Sequence, residues 1–503
     1  MTTNPIARFD RAFGRAIEKS VEHHHRRRLR RLGHAAVFES GASGLWSAGD
    51  PPPRPGNQLD VLIDGAQAMP AIAGALMAAR SHIAITGWHL EARFELVRGE
   101  HPVVLGPLLA ELAQRVDVRV LVWAGAPVPV FHPTRKEVAA EVEKLVRDTN
   151  IRCVPDPREH PVHCHHEKTV IVDDEVAFVG GIDMTDFGGD RFDLSGHPAR
   201  RRLGWHDVGT RLRGPAVADV AAHFAMRWWE VTGERLPVAG ALRARKGPDG
   251  PEFADGEHPE PGAPAGPTTV QVVRTIAETM YESVPRGEFR ILESYLRALR
   301  SAREYIYLEN QFLWAPEIVN VLADKLRNPP SDAFRLVLVL PRRANNGQDD
   351  TKGQLGRLIG ADDGNGRLLA ATLRSRTGSR TDPLYVHAKV GIVDDRWLTV
   401  GSANLNAHSL MNDTEMNVVT DDPELARGTR ERLWAEHLEL DLDQVRGSEP
   451  RALVDEHWIP VAYEQLRREH DDGDATHHLI ALPGVSQRSG RLLGPLSGLM
   501  DDG

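Results

Sequence analysis

Cysteine is nearly absent: only Cys153 and Cys164 occur in 503 residues. A disulfide framework is therefore excluded as the main source of stability, and a reducing compartment is the simpler expectation. Long apolar runs are missing as well. No stretch of about 18 apolar residues exists, so no helix is expected to span a bilayer, and the N-terminus lacks the apolar core of a secretory signal. A cytoplasmic location follows as an expectation, with peripheral contact at the inner membrane face. Positive charge is not in excess either. With 61 Lys and Arg against 71 Asp and Glu, the formal net charge is -10, which speaks against a dedicated nucleic-acid binder. What the chain does have is size: 503 residues, 41% hydrophobic and 26% charged, suit two fused globular domains.

It also contains an internal repeat. His166-Glu167-Lys168 leads through Thr169 to Val172 into Asp173-Asp174, followed by Val179-Gly180-Gly181-Ile182-Asp183. His387-Ala388-Lys389 leads through Val390 to Val393 into Asp394-Asp395, followed by Val400-Gly401-Ser402-Ala403-Asn404. Along an extended chain, residues two apart point to the same side, so each histidine is delivered together with its lysine. Two imidazoles divide the work of displacement at phosphorus: one attacks while neutral, the other donates a proton to the leaving oxygen. Two lysines supply fixed positive charge where negative charge grows on the phosphoryl oxygens. The pairing of motifs points to phosphodiester chemistry with no metal and no organic cofactor.

The pattern HxKxxxxD followed by Gly-Gly or Gly-Ser resembles the signature of the phospholipase D superfamily, in its eukaryotic-like subgroup of phospholipases and phosphatidyltransferases. The flanks extend the likeness: Trp205-His206-Asp207, Arg211 to Pro215, Asp219, Phe224, Arg227-Trp228 and Tyr307 to Phe312, so that residues 58 to 445 are covered. The resemblance implies two related α/β domains about a pseudo-twofold axis, sharing one active site in a monomer. It implies catalytic roles for His166, Lys168, Asp173, His387, Lys389 and Asp394, with His166 the phosphohistidine former; the residues alone do not order the two histidines. Ser402 and Asn404 are expected to bind the phosphate, and the matching Gly181 and Asp183 make that cradle asymmetric. Asp173 and Asp394 have the opposite strand parity from the histidines and are expected to fix a turn and pair with cations. Imidazole orientation is expected from downstream acids, Glu415 in the second half and Asp193 or Asp190 in the first.

The coarse organisation repeats too. Helical periodicity over Ala71 to Ser81 leads into a strand His82 to Thr86, as Ile291 to Arg303 leads into Tyr305 to Leu308. Strands Val118 to Trp123 and Phe334 to Leu340 correspond, as do helices Val217 to Val231 and Pro423 to Leu438, and a hairpin is expected at each Asp-Asp. The boundaries read as a basic amphipathic segment 1–57, a first domain 58–239, a Gly/Pro-rich linker 240–268, a second domain 269–446 and an extension 447–503, polar and partly disordered from Asp471 onward. In the first segment Ile6, Phe9, Phe13, Ile17 and Val21 recur at helical spacing before His23 to Arg31, so residues 5–32 are a candidate contact for anionic membrane. A chain starting near Pro55 is expected to fold without it. His163-Cys164-His165-His166 invites a zinc reading, but adjacent extended positions alternate faces and cannot close a tetrahedron. The expected function is hydrolysis of a phospholipid headgroup bond or its transfer to an alcohol. Cardiolipin-synthase-like transfer and nuclease activity are the alternatives, a nucleic-acid substrate being the less expected.

Overall fold

The computed structural model describes residues 19–39, 44–127, 132–160, 163–236, 244–247, 250–253, 262–343 and 348–482. Two sheets, each built on the same seven-strand frame, form its core. The first contains β1 (Arg54–Ile63), β2 (His82–Gly87), β3 (Asp117–Trp123), β4 (Arg152–Asp156), β5 (Thr169–Val172), β6 (Val176–Gly180) and β7 (Val208–Arg213). Their spatial order is β4-β3-β2-β5-β6-β7-β1, parallel from β4 to β2 and antiparallel thereafter. The second contains β8 (Thr268–Ile276), β9 (Tyr305–Glu309), β10 (Arg335–Val339), β11 (Leu368–Thr377), β12 (Val390–Val393), β13 (Trp397–Gly401) and β14 (Glu415–Thr420). Its order is β11-β10-β9-β12-β13-β14-β8, with the same senses. The two halves are thus one topology used twice. Pairing of β1 with β8, Arg54 opposite Val270 and Asn57 opposite Thr268, joins the sheets edge to edge.

Helices cover both faces, as buried parallel strands require. α1 (Gly65–Met77) packs outside the first sheet and α3 (Arg290–Ser301) outside the second, each within its own core cluster. A third core lies between the halves, where α2 (Val217–Thr232) and α4 (Pro423–Leu438) bury Trp228 and Trp434 completely against residues of both sheets. α2 ends at Gly233 in the left-handed region, and α4 starts under the Asp422 carboxylate, which accepts from the Glu424 and Leu425 amides.

Asp173 and Asp394 sit at hairpin turns with φ of 56° and 52°. The Asp173 carboxylate accepts from the backbone amides of Arg80, Ser81 and His82; Asp394 accepts from those of Arg303, Glu304 and Tyr305. Each ties the motif hairpin to the loop entering the central strand of its half. Three amide donors favour the charged form of Asp173 and, against partial burial, hold its pKa below the usual carboxylate value. Their place among the catalytic residues is therefore corrected: strand parity sends them away from the histidines, into a structural turn.

The ends of the chain depart from expectation. Residues 19–31 form a helix that docks on the second domain, burying Leu29 and setting His25 2.8 Å from Glu317 and Arg28 against Glu278. Arg28 also donates to Asn412 Oδ1 and the Met411 carbonyl, bracing the loop before Glu415. Arg27, Arg30 and Arg31 stay exposed, whereas the apolar positions Ile6 to Ile17 lie outside the described residues. Starting the chain at Pro55 would strip this packing and the first residue of β1. The tail expected to be partly disordered contains a buried strand, β15 (Leu479–Ala481), which extends the second sheet beyond β11. Within the linker, Ala244–Gly247 pairs with Gly250–Phe253.

Candidate active site

His166 and His387 stand on the extended segments immediately before β5 and β12, and the pseudo-twofold axis brings their rings to 6.5 Å between centroids. Reciprocal backbone bonds set this distance. The His166 and Glu167 amides donate to the Thr414 carbonyl of the second half; the His387 and Ala388 amides donate to the His206 carbonyl of the first. Each motif is therefore held by a strand of the other domain, and Gly204–His206 pairs in parallel with Leu384–Val386.

The next residue of each clamp supplies the acid. His166 Nδ1 lies 3.0 Å from Glu415 Oε1, and His387 Nδ1 lies 2.6 Å from Asp207 Oδ2. Both carboxylates are buried, so each imidazole is locked with Nδ1–H donating and Nε2 free to act. This alters the expected orientation scheme. Glu415 orients the histidine of the first half, not its own. Asp193 and Asp190 reach neither ring: Asp193 pairs with His197 at 3.1 Å and with Arg200, and Asp190 pairs with Arg98 at 2.7 Å and Arg200 at 3.0 Å. They belong to a loop folded beside the start of α1, where the Ala66 amide donates to the Asp193 carbonyl. Asp207, named above only as part of a flank, was not matched to Glu415 because that loop displaces it. Glu415 follows Ser402 by 13 residues, but Asp207 follows the matching Gly181 by 26.

Glycine at 181 has a steric reason. A Cβ there would lie 2.2 Å from Asp207 Oδ1, so the short aspartate and the bare backbone require each other. At the matching position, Ser402 donates its hydroxyl to the longer Glu415. Ser402 is fully buried in that bond, which corrects its expected role as a phosphate ligand: its Gly-Ser turn aims the side chain back at β14. Asn404, by contrast, lines the cavity beside His166, Asp183, Arg191, Trp205, Gln311 and His387, and its Oδ1 has no hydrogen-bond partner among the described residues.

The lysines are buried on opposite sides. Lys168 Nζ donates to the His166 carbonyl at 2.6 Å and lies 3.2 Å from Asp183 Oδ2. Lys389 Nζ donates to the His387 carbonyl and contacts Gln311 Oε1 at 3.3 Å, with no carboxylate in ion-pair contact among the described residues. Burial, with the nearby Lys168 charge, drags Lys389 down to about 7 despite Asp207. Burial and the cations Lys389, Arg191 and Lys168 hold His387 well below its ordinary value, while burial lifts Asp207 to about 6. Lys168, Lys389 and Arg191 thus stand beside the carboxylates of Asp183, Asp207, Glu415 and Asp413, so that buried charges of both signs surround the cavity.

Around it, Glu167 points away from the cavity into a buried network with His223 at 2.6 Å and Arg227. His206 bridges Asp64 at 2.9 Å and Glu309 at 2.8 Å, and these two carboxylates, outweighing burial, hold it well above its ordinary value. The clamp carbonyl next to Asp207 is fixed by that bridge. Cys153 and Cys164 form no disulfide, and both are buried. Cys164 lines the cavity, and His163 lies 2.9 Å from His408.

Two family models match the chain: residues 75–204 match "Phospholipase D", and residues 295–436 match "Cardiolipin synthase, PLD-like domain". Phospholipase D A of Dictyostelium discoideum is 27% identical over 462 residues, covering 74% of this chain and 34% of that protein. Phospholipase D alpha 4 of Arabidopsis thaliana is 24% identical over 539 residues, covering 81% and 69%. The chain spans only about a third of the Dictyostelium relative and half of bovine phospholipase D2. Among solved structures, the phosphatidylserine synthase of Haemophilus influenzae aligns at 13% identity with a TM-score of 0.49, covering 78% of this chain and 86% of that one.

Proposed function

The chain belongs to the phospholipase D superfamily, and from that premise we propose that it cleaves the headgroup phosphodiester of a phospholipid through a phosphohistidine, passing the phosphatidyl group to water or an alcohol. The observation that supports this reading best is the pair of imidazoles 6.5 Å apart, each oriented by a carboxylate from the opposite half. Phosphorus seated between them lies within reach of both rings.

His166, neutral with Nδ1–H donated to Glu415, attacks phosphorus through Nε2, forming a P–N bond as the P–O bond to the headgroup breaks. His387 donates its Nε2 proton to that departing oxygen. Water or an alcohol then enters along the same line; His387 removes its proton, a P–O bond forms and the P–N bond breaks. Burial and the neighbouring cations lower the pKa of His387, and the negative charge of a bound phosphate works against the cations, favouring the protonated ring that the first step needs. Lys168 and Lys389 bind the equatorial oxygens, and the Asn404 side chain completes the contact on the second side. The nucleophile, the acid and the charge clamp all come from the chain, so no step requires a metal.

Mixed phosphatidyl liposomes, with and without ethanol and with single-stranded DNA in parallel, test this. Phosphatidic acid should form, ethanol should divert it to phosphatidylethanol, and turnover should persist in EDTA. Hydrolysis indifferent to ethanol would count against a transferable phosphatidyl-enzyme; cleavage of DNA alone would move the protein to the nuclease branch. Transfer as the main reaction is the second reading, favoured by the match of the second half to the cardiolipin synthase model; it requires a lipid alcohol to outcompete water in the same assay. Peripheral contact with anionic membrane through the exposed Arg27, Arg30 and Arg31 fits either reading. No helix of the described residues is long and apolar enough to cross a membrane.

A further inference from the structure

The two sides of the phosphate cradle are unequally equipped. On the second side, Lys389 has no carboxylate in ion-pair contact among the described residues, and Asn404 offers an amide to the cavity. On the first side, the position matching Asn404 is Asp183, an acceptor that repels phosphate and partly neutralises Lys168 from 3.2 Å. Ser402, which would have added a donor, is taken up by Glu415. A ligand with negative oxygens on both sides would therefore be gripped on one and opposed on the other.

Arg191 lies in this gap. Eight residues beyond Asp183, it lines the same cavity and is 2% exposed. Its Nη2 donates to the Phe187 carbonyl at 2.7 Å, and its guanidinium lies over the Trp205 ring, 3.2 Å from the centroid; that indole lies 4.5 Å from the His387 ring. Two contacts thus fix the group in place, yet Nε and Nη1 have no hydrogen-bond partner among the described residues. A buried cation with unused donors costs stability unless something fills them. Burial lowers it only to about 10, so it is charged at neutral pH.

We propose that Arg191 is a third phosphate-binding cation, supplied by the first half in place of the donor that Asp183 denies it, with its free nitrogens donating to a phosphoryl oxygen of the substrate. This rests on the phosphodiester reading above. The competing role is that Arg191 only balances the charge of Asp183 and Asp207, touching no ligand.

The test uses the full chain, bis(p-nitrophenyl) phosphate as substrate and inorganic phosphate as competitor. Arg191→Gln should lower kcat/KM about 100-fold, the scale of losing one charge-stabilising donor, and raise the inhibition constant for phosphate about tenfold or more. Arg191→Lys, which keeps the charge and is the milder change to the fold, should recover part of both. Removing a cation beside His387 should also move the limb of the pH profile that reports this ring to higher pH, which a purely structural loss would not do. Adding Asp183→Asn to Arg191→Gln separates the two roles: the double variant should remain at least about tenfold slow, and full recovery would reduce Arg191 to a counterion and overturn the proposal. Phosphate inhibition unchanged in Arg191→Lys and Arg191→Gln would overturn it too. Wild-type protein that binds phosphate through Arg191 but cleaves no diester would instead sink the phosphodiesterase reading and leave this one standing.

Discussion

The two halves share strand order, hairpin aspartates and reciprocal clamps, but they differ in three features around the paired histidines. Gly181 with Asp207 stands where Ser402 with Glu415 stands; Asp183 stands where Asn404 does; Lys168 has a carboxylate partner, and Lys389 has none in ion-pair contact among the described residues. Symmetry is kept in the backbone bonds that set the distance between the histidines and broken in the side chains around them. A phosphodiester has an entering group on one side and a leaving group on the other, so two identical half-sites would be a poor match to its transition state.

Removing either lysine should give the largest effect. Lys168→Ala and Lys389→Ala should each lower kcat/KM by about 10³-fold, roughly 4 kcal/mol, and the double variant should lose far less than the sum, because both act on one transition state. Full activity in either single variant would mean the halves work separately.

Next come the crossed acids. Asp207→Asn and Glu415→Gln should each cost on the order of 100-fold in kcat, by allowing the wrong tautomer in the opposite half. With p-nitrophenol as leaving group, Asp207→Asn should hurt the first step less than Glu415→Gln, if His387 is the acid; the reverse order in burst kinetics would exchange the two histidines. Gly181→Ser should reproduce Asp207→Asn, since its Cβ would strike that carboxylate, whereas Ser402→Gly removes one hydrogen bond and should cost only about tenfold.

Lysine asymmetry also has a pH signature. Lys389 is lowered to about 7 in the folded chain, against an ordinary value of 10.5. Below about 7 both states bind the proton, and the full cost of burying the ammonium destabilises the fold. Between about 7 and 10.5 only the unfolded chain holds it, so stability contributed at this site rises with pH. Lys389→Met should therefore raise the unfolding free energy most near pH 6, by on the order of 3–5 kcal/mol, and least near pH 10, with Tm following the same order. In the wild type, kcat/KM should fall as pH climbs through about 7, as the free enzyme loses that charge. A Tm gain independent of pH would place the ammonium in a more solvated environment.

The smallest effect belongs to the surface. Substituting Arg27, Arg30 and Arg31 with glutamine should weaken binding to anionic liposomes by about 1 kcal/mol per residue, screened by salt, with turnover of a soluble diester unchanged. Binding that survives intact would leave this helix as a packing element of the second domain.

Much of this architecture was legible from the sequence because it depends on local pattern. The doubled HxK, the strand alternation behind it and the paired Asp-Asp turns are short-range features, and they correctly gave two α/β halves with their histidines and lysines delivered together. Parity pointed Asp173 and Asp394 toward a turn, although the resemblance had set them among the catalytic residues. What only the tertiary structure decided is who serves whom. Asp207 and Glu415 each cross to the other half's histidine, the Ser402 hydroxyl turns from the phosphate to Glu415, and Arg191 enters the cavity from a loop in which only the acids had drawn attention. Those relations follow from two sheets meeting edge to edge about an axis. A side chain's partner across that axis lies 180 or 249 positions away, a separation at which local periodicity says nothing and only packing brings the groups together.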